Sequence, residues 1–304
     1  MTITSVPGVH VGHATDLVGV TGVTVVVPPA PNVTAVEIRG AAPGSRETAL
    51  LAPGMRIESV QAIVLTGGSA FGLAAVDGVV AALEEDGIGH DTLAGVVPIV
   101  PAAVIFDLWL GDSGARPGPA DGVAAYRAAS ADPVEMGTVG VGTGAAVAGW
   151  RGFNHARKGG IGSASVPVGG ATVGAIVVAN CVGDVFTLEG EPLTGGDHVP
   201  HGPPAGLPDS PENTTLGVIA TDASLSRNDL SRLCVQGHGA LAACLRPSHT
   251  RYDGDAIFAV SCGELEEDLD ALGAAAFEVV GRAIEAAVRA ATALGGLSAV
   301  EEEQ

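Results

Sequence analysis

An alternation between short β-branched runs and longer helical stretches restricts the fold more than any other feature of the chain. Residues 22–27 read as a strand stopped by Pro28-Pro29, and 62–65, 96–100, 171–179 and 256–261 read as further strands. Val104-Ile105-Phe106-Asp107 continues the apolar pattern after Pro101. Helices are predicted over 70–85, briefly around Tyr126, from a cap at Ser226 to about 245, and over 266–294, where Gly295-Gly296 would stop the last one. Strands alternating with long helices argue a mixed α/β class.

The most informative boundary lies at Asn213. A polar run rich in Pro and Gly ends there, and an apolar strand begins one residue later with Thr214 on the edge. A threonine inside a chain has no base of its own. If the Asn213–Thr214 bond were cut, the new α-amine, with an ordinary pKa near ~8, would sit on the same residue as the hydroxyl and could take its proton. The other reading of Asn-Thr-Thr at a strand mouth is a plain structural turn.

Composition narrows the classes. The chain has 304 residues, 47% of them hydrophobic, 16% charged, and 45 glycines, which describes a tightly packed, loop-dense globular protein with a substantial core. Its net charge is −20, so nucleic-acid phosphates and anionic membrane surfaces are repelled. Part of that charge is the tail Glu301-Glu302-Glu303. Cys181, Cys234, Cys244 and Cys262 are widely spaced and show no zinc pattern, so free thiols in a reducing compartment are expected. No apolar run is long and unbroken enough to span a bilayer, and the amino terminus lacks a basic segment followed by an apolar one. A cytoplasmic, soluble protein is the expectation.

Several motifs carry little. His10 and His13 have no acidic or Cys neighbour and read as structural, and His198-x-x-His201 lies in a Gly/Pro-rich linker from 187 to 213 without a helix to present it. Gly137 to Gly149, with its Gly-Thr-Val-Gly-Val-Gly-Thr-Gly run, superficially suggests dinucleotide binding but lacks the fingerprint spacing and its acidic partner. Neither metal nor cofactor is signalled. Thr66-Gly67-Gly68-Ser69 joins a strand to a helix, where free backbone N–H groups could bind a carbonyl or anion; without a following Gly-Lys it is read as a substrate-facing turn. Lys158 is the sole lysine among fourteen basic side chains, which suggests a place where an ammonium specifically is needed.

Asn213-Thr214-Thr215 before a strand, followed about forty residues later by Asp253-Gly254-Asp255-Ala256-Ile257-Phe258, resembles the DmpA/NylC family of self-cleaving N-terminal nucleophile hydrolases. Gly8-Val9-His10-Val11-Gly12-His13, Leu65-Thr66-Gly67-Gly68-Ser69-Ala70-Phe71-Gly72-Leu73, Lys158-Gly159-Gly160-Ile161-Gly162 and Val178-Ala179-Asn180 match in family order. The resemblance implies a layered αββα sandwich as a single domain over 1–304, cut into chains 1–213 and 214–304 and assembled as a homo-oligomer. It implies Thr214 as nucleophile, Lys158 tuning the amine, Asn180 stabilising an oxyanion, and Asp253 and Asp255 ordering the amine or hydroxyl. Gly67, Gly68, Ser69 and Phe106 would face the substrate, and the family often has a hydroxyl-bearing aromatic where Phe106 stands. The implied substrates are short peptides, amino-acid amides or linear amide oligomers such as 6-aminohexanoate oligomers. Two alternatives stay open: acyl transfer by the same nucleophile, as in ornithine acetyltransferases, and a Gly-rich binding protein in which Thr214 is a mere loop residue.

Overall fold

The computed structural model describes residues 1–196 and 213–300. His198, His201 and the acidic tail lie outside the described residues.

Ten strands form two five-stranded sheets. In chain order they are β1 (His10–Asp16), β2 (Thr21–Val27), β3 (Val33–Ile38), β4 (Ser45–Arg46), β5 (Ile63–Thr66), β6 (Ala102–Val104), β7 (Gly160–Val168), β8 (Ala171–Ala179), β9 (Leu216–Ala223) and β10 (Ala256–Leu265). The first sheet runs β1-β2-β5-β6-β4 and the second β7-β8-β9-β10-β3. Within them β5/β6 and β9/β10 are parallel pairs, and the remaining neighbours are antiparallel. Helices α1 (Ala75–Glu85) and α2 (Pro119–Arg127) cover the first sheet; α3 (Arg227–Cys244) and α4 (Leu269–Arg289) cover the second.

Side-chain alternation builds the layers. Along β8, Val173, Ala175, Val177 and Ala179 face α3 and α4, whereas Ile176 and Val178 join Leu65, Val218 and Phe258 between the sheets. Along β5, Leu65 and Ile63 point to that same inter-sheet core, and Val64 packs beneath α1. Both faces of the central strands are thus buried, which explains their near-continuous apolar sequence. Each fully buried Val, Ile or Phe is worth roughly 1.5–3 kcal/mol of transfer free energy. The result is the expected αββα sandwich. Ser226 caps α3 by accepting the Asp229 N–H, and Asp268 caps α4 by accepting the Ala271 N–H.

Two local expectations change, and one strand appears where no element was expected. The helix expected from residue 70 opens instead as a 3-10 segment, Ser69–Ala74, before α1. The strand expected at 96–100 is a hairpin arm, Gly95–Val97 paired with His90–Thr92; the sheet strand is β6, because Pro98 and Pro101 cannot donate to a ladder. The glycine cluster after Lys158 is itself strand β7. Its glycines let α4 lie close: a Cβ at Gly162 would sit 2.1 Å from the Ala283 carbonyl oxygen, and one at Gly160 2.5 Å from that of Ala287.

Candidate active site

Strand direction brings the candidate residues together. Because β9 and β10 are parallel, with Leu216 beside Ala256, the segments preceding both strands meet at one end of the sheet. These segments are Asn213-Thr214-Thr215 and Asp253-Gly254-Asp255. Because β8 is antiparallel to β9, its last residues and Asn180 arrive at that same end, and antiparallel β7 begins there just after Lys158. On the facing sheet, parallel β5 and β6 finish side by side and lead into Ser69 and Phe106.

The Asn213–Thr214 peptide is held from several sides. The Asn213 N–H donates to the Tyr252 carbonyl at 3.2 Å and the Thr214 N–H to the Asn180 carbonyl at 2.9 Å. The Thr214 hydroxyl folds back onto the Asn213 carbonyl oxygen, Oγ1 to O 2.6 Å, and the Gly254 N–H donates to that same oxygen at 3.1 Å. Asp255 accepts the Thr215 N–H at 2.8 Å through Oδ1 and bonds His249 Nδ1 at 2.7 Å through Oδ2. Thr214 is 5% exposed, so this is an interior site with an opening rather than a surface loop. The opening is a cavity of ≈190 Å³ whose lining includes Asn213, Thr214, Ser69, Phe106, Val104 and Tyr252.

Asn180 is fully buried, and its Oδ1 accepts the Ala146 N–H at 2.9 Å. That bond orients the amide, leaving Nδ2 as a buried donor with no partner among the described residues. A polar group in that state is costly unless something arrives to use it.

The two carboxylates make different bonds. The β10 ladder starts at Ala256, so Asp253 and Asp255 precede it rather than share one face of it. Asp253 takes the N–H and hydroxyl of Thr250 on Oδ2, at 2.8 and 2.6 Å, and its Oδ1 is buried with no partner among the described residues. Burial, then the neighbouring Asp255 charge, push its pKa up to about 7 against the pull of the Thr250 bonds. For His249, burial alone would lower the pKa, but the hydrogen bond and charge of Asp255 outweigh it and hold the imidazole above its ordinary value.

Lys158 is completely buried and donates to the carbonyls of Gly142 and Ala145, both at 2.8 Å, and of Gly159 at 3.0 Å. Burial lowers its pKa to about 7, and the charge of Asp107 opposes the drop. Three acceptors around three N–H groups also favour the ammonium, which fits the residue type: Arg would not match this compact carbonyl cage.

Asp107 accepts the Thr21 hydroxyl and the Gly68 N–H, each at 2.7 Å, and burial raises its pKa. This bond corrects the expectation that the glycine turn offers free amides. The Gly67 N–H goes to Gly22 O, that of Gly68 to Asp107, and that of Ser69 to Ile105 O. What the turn presents to the cavity is Ser69 and Ala70; Gly67 and Gly68 are not among its lining residues. His13, read as structural, bonds the Thr24 hydroxyl at 2.9 Å and is kept neutral by burial, its pKa lowered to about 4.

Sequence reasoning passed over Asp107, His249, Thr250 and Tyr252. Asp107 carried one visible signal, a lone carboxylate closing an apolar run. The others lie in a loop whose composition is unremarkable, and only the return of that loop to the mouth of β9 gives them a role.

No helix among the described residues is long and apolar enough to cross a membrane.

The model of peptidase family S58 matches residues 1–301. An uncharacterized aminopeptidase of Mycobacterium bovis is 40% identical, covering 97% of this chain and 95% of its own. The 6-aminohexanoate-oligomer endohydrolase of Paenarthrobacter ureafaciens is 32% identical over 91% of this chain and 83% of its own. Among solved structures, the L-aminopeptidase D-Ala-esterase/amidase of Ochrobactrum anthropi, described as a variant of the Ntn hydrolase fold, superposes with a TM-score of 0.79 at 25% identity. It covers 99% of this chain and 91% of that one. With the family matched over residues 1–301 and the overall fold shared with that solved structure, the chain belongs to peptidase family S58, the DmpA/NylC family, and is an amide-bond hydrolase.

Proposed function

We propose that the protein is a self-processing N-terminal threonine hydrolase that cuts its own Asn213–Thr214 bond and then uses Thr214 on external amides. The observation that carries this reading is the state of the Asn213 carbonyl oxygen, met by the Thr214 hydroxyl at 2.6 Å and by the Gly254 N–H at 3.1 Å. A nucleophile already lies against the carbonyl, and a backbone donor already sits where negative charge would develop.

In the first stage Thr214 Oγ1 attacks the Asn213 carbonyl carbon. The hydroxyl proton passes to the departing Thr214 nitrogen as the C–N bond breaks, which leaves an ester. Water then attacks the ester, releasing the Asn213 carboxylate and restoring the hydroxyl beside a free α-amine.

In the second stage that amine takes the Oγ1 proton as Oγ1 adds to a substrate amide. The proton goes on to the leaving amine, and water hydrolyses the acyl-threonine. The Gly254 N–H and the unpartnered Asn180 Nδ2 supply oxyanion donors. Asp253 Oδ1, also unpartnered, is an acceptor for the newly made amine. Lys158 spends its three N–H groups on the Gly142, Ala145 and Gly159 carbonyls and does not line the cavity, so its part in this reading is a positive charge at the same end of the sheet that disfavours protonation of the attacking amine.

The cavity beside Thr214 is small and mostly apolar, which suits short peptides, amino-acid amides or linear amide oligomers. Intact-mass spectrometry of the parent beside Thr214→Ala tests the reading. Two chains meeting at Asn213/Thr214 in the parent, and one uncut inactive chain in the variant, are expected; a variant that is still cut or still hydrolyses amides overturns it.

A further inference from the structure

The loop before β10 contributes a histidine that neither the nucleophile chemistry nor the cavity uses. His249 sits with φ +53°, a left-handed backbone that few side chains adopt readily, and its ring is largely enclosed. Its Nδ1 bonds Asp255 Oδ2 at 2.7 Å, and its backbone N–H reaches the same oxygen at 3.2 Å. Its Nε2 is buried with no hydrogen-bond partner among the described residues; the His238 backbone lies on that side and favours the charged ring, and the one side-chain bond that orients the imidazole is to Asp255. The His238 ring packs against it edge-to-face, centroids 5.0 Å apart at 67°; His238 is itself tied to the Glu37 carbonyl at 2.9 Å.

The other oxygen of Asp255 holds the Thr215 N–H at 2.8 Å, one residue from the nucleophile. A carboxylate gripped on one side by an imidazole and on the other by a backbone amide has a fixed direction, which a carboxylate with a single partner does not. Asp255 carries that direction into the peptide that must meet the Gly254 N–H.

We propose that His249 is a positioning residue: through Asp255 it fixes the Thr215 N–H and so holds the Asn213–Thr214 peptide, and later the Thr214 nucleophile, against Gly254. The groups facing the imidazole are Asp255 and Asp253 on its own loop, His238 from α3, and Arg39 beyond His238. The two carboxylates favour the charged imidazole, which strengthens the grip on Asp255. The inference rests on the reading of Thr214 as nucleophile.

The test uses the full chain. Self-cleavage is followed by intact mass, and turnover of an amino-acid anilide gives kcat and KM, for the parent, His249→Ala, His249→Asn, Asp255→Asn and the His249→Ala/Asp255→Asn pair. Asn tolerates the left-handed backbone and keeps a donor where Nδ1 stands. His249→Ala is expected to slow self-cleavage and kcat roughly 30-fold with KM nearly unchanged, and His249→Asn to recover most of that. In the Asp255→Asn background the alanine change should cost nothing further, because the interaction it removes is already gone.

Parental rates in His249→Ala, or effects that multiply in the pair, overturn the proposal while leaving the nucleophile reading intact. Thr214→Ala that still cleaves sinks the nucleophile reading instead. Should His249→Ala fail to fold, the pH titration of uncut Thr214→Ala by NMR decides: the Thr215 amide resonance should move with the midpoint of the His249 ring, and an independent midpoint overturns the proposal.

Discussion

Gly254→Ala is the sharpest perturbation the geometry offers. Gly254 donates its N–H to the Asn213 carbonyl at 3.1 Å. A Cβ there would lie 2.6 Å from the Ala42 carbonyl oxygen, 2.7 Å from Thr214 Oγ1 and 3.1 Å from Pro43 Cα. The hydroxyl could rotate away, at the loss of its own 2.6 Å bond to the same carbonyl. The Ala42 carbonyl cannot yield cheaply, because it is backbone and its residue's N–H is tied to Asp253 O at 2.9 Å.

Restoring ordinary contact therefore requires the 253–255 segment to retreat by roughly 0.8 Å, and a 3.1 Å hydrogen bond lengthened by that much is no longer one. Loss of one oxyanion donor costs about 3 kcal/mol at the transition state, or ~100-fold in rate. The assay is the time course of self-cleavage by intact mass on freshly purified chain, with circular dichroism to show that the fold persists. A folded Gly254→Ala that cleaves within threefold of the parent would refute the assignment of the Gly254 N–H to the oxyanion.

Two further outcomes follow from the buried charges. Between its ordinary 3.8 and about 7, folded Asp253 holds a proton that the unfolded chain has lost, so the stability tied to that proton is present at low pH and disappears as pH rises through about 7. Thermal unfolding of Thr214→Ala with and without Asp253→Asn should therefore show a gap in favour of Asn that widens from pH 5 to pH 8; a constant gap refutes the sign. Asp107→Ala strips the Thr21 hydroxyl and the Gly68 N–H of their acceptor and leaves the Lys158 ammonium less compensated. It should cost about 3 kcal/mol, read as a lower urea midpoint at unchanged slope, and a parental midpoint would count against Asp107 as the balancing charge.

Much of this was legible in the residues. The apolar runs of β2, β5, β8 and β10 announced themselves, and α3 fell within a residue of its expected ends, whereas α4 ends at Arg289, short of the Gly295-Gly296 stop expected for it. β3 was not, since its short sequence mixes Thr34 and Glu37 with apolar residues and becomes a strand only through its ladder with β10. β7 was hidden for the opposite reason: its glycines look like loop punctuation until α4 is seen lying on them. The glycine turn at 67–69 misled because a free amide and an amide already bound to Asp107 have the same sequence.

By itself the sequence determined which chemistry was on offer. It supplied one lysine in a chain otherwise basic through arginine, a threonine at a loop-to-strand boundary, an amide closing β8, two carboxylates before β10, and the apolar periodicity that makes those boundaries strand ends. Only the tertiary structure decided what each group does there. The parallel β9/β10 register sets Gly254 against the Asn213 carbonyl, the antiparallel β8 brings Asn180, and the loop before β10 folds His249 onto Asp255. Local propensity can mark where a strand begins. Which strand lies beside it, and in which direction, depends on burying both faces of two sheets at once, a condition no single segment contains.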